Sequence, residues 1–318
     1  MHINKFCFPI MILFCLAALP VRGAEGPILL KYEFSKDKPL LYRISTVMEQ
    51  SQKVGEQSNE MKMVNTAETL FTLEEVKDNE NFVLSSSTKR LQVMMSNPFG
   101  EPYEYDSNSD TNPNEGFPAQ SLTPVFDALK GATVQLTLKP DGEIVAVEGY
   151  SELMKKITEK VPNAPQMGSA FSDEGARKQY EEVFPTFNDV AVSPGDTWET
   201  TFDMDMGPTG KAKGKKVFTF KGEDELDGRK TVAIAVNTEV QIDIDINQGL
   251  STVTGSMKSN DSEGIIHFDP ATGEIVKVDN KYKIVGKLNI TFQGQQQVIE
   301  QNQNHQVTVE LVPDGGSK

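Results

Sequence analysis

Period-two alternation is the feature that most narrows what this chain can become. Val240, Ile242, Ile244 and Ile246 alternate with Gln241, Asp243, Asp245 and Asn247, while Tyr282, Ile284, Gly286, Leu288, Ile290 and Phe292 form a second run broken only by Val285. Successive side chains of a strand point to opposite faces, so each run spells one dry face and one wet face. Shorter runs recur at Leu30–Phe34, Tyr42–Met48, Val134–Leu138, Phe202–Met206, Val232–Val236 and Val307–Leu311. Parallel strands buried on both sides would be apolar throughout, so the sheet is expected to be antiparallel. Lys139-Pro140-Asp141-Gly142, Leu226-Asp227-Gly228 and Asp269-Pro270-Ala271-Thr272-Gly273 carry the residues that close hairpins.

Two hairpins echo each other. Gly142-Glu143-Ile144-Val145-Ala146-Val147-Glu148 resembles Gly273-Glu274-Ile275-Val276-Lys277-Val278-Asp279, and Phe71-Thr72-Leu73 resembles Phe218-Thr219-Phe220. The offsets, 131 and 147, differ by 16 residues, as an insertion in the first copy would produce. Residues 97–120, rich in Pro, Gly, Asn, Asp and Ser, read as that insertion and as an exposed loop. A tandem duplication with copies at 28–149 and 186–293 is therefore expected, although short turn motifs also recur by coincidence. Helices are few: Ser121–Lys130, Ser151–Val161 with Leu153, Ile157 and Val161 on one stripe, and Ser172–Val183 ending before Pro185. The expected fold is a β-rich α+β protein, a curved antiparallel sheet or half-barrel with a few covering helices. Its parts are a first β-rich repeat at 24–149, a helical connector at 150–185, and a second repeat with a polar tail at 186–318.

Ahead of these, residues 1–23 read as a secretory signal peptide: Lys5, the apolar run Phe6–Leu19, then Val21-Arg22-Gly23 with small residues for cleavage. An apolar run of about 14 residues is short of the roughly 20 that cross a bilayer, so no transmembrane span is expected in the mature chain. Export to the periplasm or beyond follows. Both cysteines, Cys7 and Cys15, lie in this segment, which leaves no disulfide and no thiolate for the remainder. Phe14 is too bulky for lipoprotein processing at Cys15. Lys5 and Arg22 are the only charged residues there, so the net charge of −15 becomes about −17 after cleavage, which opposes nucleic acid and anionic lipid surfaces.

The chain offers little to catalysis. Only His267 and His305 remain beyond the signal, no paired-His or Cys spacing suggests a metal, and no nucleophile elbow, phosphate loop or dinucleotide fingerprint is present. Lys211-Ala212-Lys213-Gly214-Lys215-Lys216 lacks the spacing of a phosphate loop and reads as a basic turn. Asp106-Ser107-Asn108-Ser109-Asp110 has the oxygen spacing of a calcium loop, but Thr111 stands where a glycine belongs and Phe117 where a closing Glu belongs. No cofactor, metal or catalytic residue is assigned, and the protein is expected not to be an enzyme.

Methionine is the more suggestive residue. Met48, Met61, Met63, Met204 and Met206 sit at alternating positions, with Met94, Met95 and Met257 in or near strands. Flexible thioethers either fill a core or adapt to an irregular apolar ligand.

The turn Val192-Ser193-Pro194-Gly195-Asp196-Thr197-Trp198, with the sole tryptophan, resembles a family of uncharacterised exported bacterial proteins. The resemblance runs through the strands Leu30–Phe34 and Leu41–Met48, the hairpin Lys139–Val147 and the hairpin Phe268–Val278. It implies a family without an assigned activity, and the residues themselves favour Trp198 as a core anchor after a Pro-Gly turn. In architecture the strand pattern is also similar to periplasmic lipoprotein carriers, half-barrels that enclose acyl chains under helices. That similarity implies a carrier of a hydrophobic ligand; the alternating methionines and the amphipathic segment Ser151–Val161 point to a lipid or other hydrophobic molecule between sheet and helices, with Met48, Met204, Met206, Leu153 and Ile157 as its candidate contacts. The alternative is a structural module that binds an envelope protein; a carboxylate-based hydrolase ranks third.

Overall fold

A computed structural model describes residues 26–96, 101–113, 115–116, 118–158, 173–205, 210–248 and 251–313. The signal segment and Met206 lie outside these residues. Among the described residues twelve strands form one antiparallel sheet. In chain order they are β1 (Leu40–Val54), β2 (Gln57–Val76), β3 (Phe82–Met95), β4 (Tyr103–Asp106), β5 (Thr133–Leu138), β6 (Ile144–Glu148), β7 (Thr197–Asp205), β8 (Lys211–Leu226), β9 (Arg229–Gln248), β10 (Ser251–Asp269), β11 (Glu274–Phe292) and β12 (Gln295–Leu311). Helices α1 (Ala119–Leu129), α2 (Tyr150–Thr158) and α3 (Asp173–Val183) complete the described elements.

Across the sheet the strands run β6-β5-β3-β2-β1-β12-β11-β10-β9-β8-β7, with β4 beside β3. The chain thus makes a meander of β1, β2, β3, β5 and β6, and another of β7 to β11, and β12 joins them by pairing with both β1 and β11. The echoing hairpins are β5–β6 and β10–β11.

Directly opposed residues of an antiparallel pair share a face, so the register separates the two faces across the sheet. Tyr42, Phe71, Leu136, Phe218, Ile234, Phe268, Val278 and Val309 lie on one face and are buried. This inner face carries the main core, covered by α1, α2, α3 and the chain around Phe184 and Phe187. Phe184 is its hub: its ring lies 5.0 Å from Phe71, 5.7 Å from Tyr32, 5.9 Å from Phe34 and 6.1 Å from Tyr42.

The side-chain links of α3 show that the sheet is strongly curved. The Tyr180 hydroxyl meets Ser86 Oγ of β3 at 3.0 Å, while Glu182 pairs with Lys216 of β8 at 2.6 Å. On a flat sheet β3 and β8 would stand seven strand spacings apart, roughly 34 Å. An 11-residue helix is only about 16 Å long, and its Tyr180 and Glu182 are about 3 Å apart along its axis. The sheet therefore wraps around α3. Lys178 Nζ adds a contact 5.6 Å from the centre of the Phe202 ring on β7.

Several expectations change. Leu30–Phe34 keeps its alternation, with Leu30 and Tyr32 buried, but it forms no strand. It crosses two hairpin turns instead: Tyr32 N donates to Pro140 O at 2.8 Å and Glu33 N to Gly273 O at 3.2 Å. Within 97–120, β4 and the start of α1 are regular, and Tyr103 and Tyr105 are buried against α1. The basic run Lys211–Lys216 belongs to β8 and forms no turn; its alternate residues Ala212, Gly214 and Lys216 take the inner face. The stretch Gln295–Leu311, polar at its start, is a full-length strand.

Candidate functional site

The described residues singled out for ligand contact, Met48, Met204, Leu153 and Ile157, sit on different elements. Ile157 is 2 % exposed and Leu153 is half-buried, both packed into the main core. Val125, Ala176, Val183 and Phe184 of the same core cluster are equally enclosed, so the helices pack onto a core filled by protein. Met48 lies on β1 and Met204 on the edge strand β7, with β12, β11, β10, β9 and β8 between them. Both are half-buried.

What the register assembles around Met48 is a row. Met48 is opposite Met63 of β2, which is opposite Met95 of β3, and on its other side Met48 is opposite His305 of β12, itself opposite Tyr282 of β11. All five sit on the inner face and all are half-buried. The row lies beyond the helix-covered core, one pairing step past Asn65, Thr46, Val307 and Asn280. Farther along the same face, Met257, Ile284 and Leu288 are buried with Val240, Ile242, Ile244, Val253 and Ile299 packed on them.

His305 and Tyr282 stack with centroids 4.9 Å apart and planes within 4°. His305 Nε2 lies 3.1 Å from Gln303 Oε1, and Gln303 Nε2 donates to Gln50 Oε1 at 3.3 Å. Burial disfavours charge on both rings: it pushes the His305 pKa down and holds the Tyr282 phenol well above its ordinary range, with Glu182 of α3 adding to the latter. On the neighbouring step, Asn65 Oδ1 is buried without a hydrogen-bond donor. The result is an apolar, methionine-lined strip with a short neutral polar chain in it.

The opposite face is charged. A cavity of about 470 Å³ lies there, lined by Val47, Glu49, Lys62, Lys281 and Lys283 together with Tyr282 and His305, beside an irregularity in β10 between Ser259 and Asp261. Glu49 and Lys62 pair across it at 3.0 Å.

Among the described residues no group of three or more His, Cys, Asp or Glu is placed to hold a metal. The calcium-like loop is already occupied by protein. Asp106 accepts from Arg90, Gln92 and the Asn108 amide, and the Arg90 hydrogen bond leads in drawing its pKa down to about 2. The converging carboxylates, Asp269 and Glu274, both grip Arg229, at 2.6 and 2.7 Å, and Glu274 also holds Lys38 at 2.5 Å. That is an ion-pair cluster tying β9 to the β10–β11 turn. His267 Nδ1 stands 3.3 Å from Asp224. Among the described residues no helix is long and apolar enough to cross a membrane.

The Gly-Asp-x-Trp turn is structural. Asp196 Oδ2 accepts from Ser193 N at 2.7 Å, and Trp198 stacks on Phe218 at 5.3 Å while its indole donates to Thr186 O at 3.0 Å. The methionine row could not be read from sequence alone, because it needs the pairing of β3, β2, β1, β12 and β11.

No curated protein matches the chain. Among solved structures, DynF from the dynemicin biosynthesis pathway of Micromonospora chersina is similar at 8% identity and a TM-score of 0.20, covering 94% of this chain and 95% of its own. A putative outer membrane lipoprotein-sorting protein domain from Vibrio parahaemolyticus is similar at 8% identity and a TM-score of 0.14, covering 87% of each chain. Overlap at these scores carries no argument, and the fold rests on the strand pairing itself. A family model matches residues 79–275, more than half the chain. The protein therefore belongs to that family, a family of unknown function (DUF6263).

Proposed function

We propose that this is a non-enzymatic binding protein of the cell envelope that holds a lipid or other hydrophobic molecule on the inner face of its sheet. The observation that carries this reading is the in-register row Met95, Met63 and Met48, half-buried beyond the helix-covered core and continuous with the apolar surface around Met257, Ile284 and Leu288. Unbranched, polarizable methionines adapt to irregular acyl chains. Apolar surface left accessible gains about 25 cal/mol per Å² when a ligand covers it, before the costs of association. The site lies on the sheet beside α3 and away from Leu153 and Ile157, whose surroundings are filled.

Native mass spectrometry of the protein purified from its own envelope fraction tests this. A reproducible added mass that extracts into organic solvent as lipid is the expected result. A bare mass, with no shift on adding detergent-free lipid vesicles, would leave the structural or protein-binding alternative, which the filled interior beneath α2 favours.

A further inference from the structure

Resting on that hydrophobic-ligand reading, we propose that the ligand carries a neutral hydroxyl head, which donates a hydrogen bond to Nδ1 of His305. The direction of each bond in the polar chain fixes this. Gln303 donates through Nε2 to Gln50, so its Oε1 is the atom facing His305 Nε2. An amide oxygen has no proton to give, and Nε2 must be the protonated ring nitrogen. A neutral imidazole then keeps its lone pair on Nδ1, which accepts from no donor among the described residues. Tyr282, stacked flat on the ring, holds its orientation.

Charge narrows the head group further. Glu182 of α3 raises the Tyr282 phenol pKa further, after burial, and pairs with Lys216 at 2.6 Å. A carboxylate or phosphate head on the inner face would meet Glu182, with Lys216 already paired to it, in a chain of net charge −15. A bare hydrocarbon would leave His305 Nδ1 cut off from water, as Asn65 Oδ1 already is. An amphiphile with one hydroxyl avoids both costs.

Displacement of N-phenyl-1-naphthylamine by decan-1-ol, by decyl methyl ether and by decanoate at pH 8 tests the assignment. Decan-1-ol is expected to compete at roughly tenfold lower concentration than the ether, the worth of one buried hydrogen bond, with decanoate weaker than the alcohol. In His305→Phe, which keeps a ring against Tyr282, alcohol and ether should converge while the probe still binds. Equal competition by alcohol and ether in the native protein, or an alcohol preference that survives His305→Phe, overturns the hydroxyl assignment alone. Failure of the probe and all three competitors to bind overturns the hydrophobic-ligand reading itself. Nitrogen-15 NMR of histidine-labelled protein gives a readout free of any folding defect. Decan-1-ol should move the unprotonated ring-nitrogen resonance of His305 toward hydrogen-bonded values and the ether should leave it in place; no difference between the two overturns the assignment.

Discussion

The Tyr32 hydroxyl donates to the Pro185 carbonyl at 2.9 Å, a buried bond between residues 153 positions apart. It fastens the extended N-terminal segment to the chain leaving α3, with the ring pressed on Phe187 at 5.0 Å and Phe268 at 5.7 Å. Tyr32→Phe keeps the packing but orphans a buried carbonyl. It should lower unfolding free energy by about 1–3 kcal/mol, read from urea melts at an unchanged m-value.

Phe184 touches aromatic rings from the N-terminal segment, β1 and β2 at once. Phe184→Ala should cost about 3–5 kcal/mol, whereas Phe184→Leu should cost less than half of that. Thermal melts of the two variants side by side check the ratio.

Gly142 takes φ +92° in the β5–β6 turn, and a Cβ there would clash with the Tyr32 ring and lie 2.7 Å from Pro185 O. Gly55, at φ +61°, has open space around it. Gly55→Ala should lose only the about 1–2 kcal/mol of left-handed backbone strain. Gly142→Ala should lose about 3 kcal/mol or more, because overpacking adds to that strain. Equal losses would show that the turn is free to move away from Tyr32.

Burial raises the Glu274 carboxyl, but hydrogen bonds from Lys38 and Arg229 outweigh it, and the net pKa lies below the ordinary 4.5; Asp269 follows the same balance below 3.8. A folded-state pKa below the unfolded one means stability that is present at neutral pH and is lost as pH falls through the folded value. Glu274→Gln should be about 3 kcal/mol less stable than the native protein at pH 7, with the gap closing below about pH 4.5. Urea midpoints from pH 7 to pH 3 measure both curves.

Methionine oxidation reads the strip directly. Under dilute peroxide, Met48, Met63 and Met95, all half-buried, should form sulfoxides several-fold faster than the buried Met154 and Met257. Peptide mass spectrometry follows each site, and a bound amphiphile should slow the first three selectively.

Much of the fold was legible in residue order. The alternation at Val240–Ile246 and Tyr282–Phe292 corresponds to β9 and β11, and Asp227-Gly228 closes the β8–β9 hairpin as expected. Both ends of α1, the start of α2 and the end of α3 fall within two residues of expectation, while Val161 and Ser172 lie outside the described residues. Leu30–Phe34 misled because alternation reports burial on one side, and a segment lying across two turns alternates as a strand does. β12 was obscure because Gln and Asn dominate its first half, and its partners β1 and β11 supply the register. The strip was illegible for a related reason: Met48, Met63, Met95, Tyr282 and His305 come from five strands, and only the pairing sets them side by side.

The central position of the β1–β12 pair has a consequence for how the protein is made. Tyr42 is opposite Leu311, so a strand near the start of the chain waits for one near its end. A ribosome releases the β1–β6 meander long before β12 emerges, and throughout that interval β1 presents a bare edge of amides and carbonyls beside Tyr42 and Ile44. Contacts so distant in sequence close slowly. The half-made sheet is the state most exposed to mispairing, and arrival of the last strand converts two meanders into one structure.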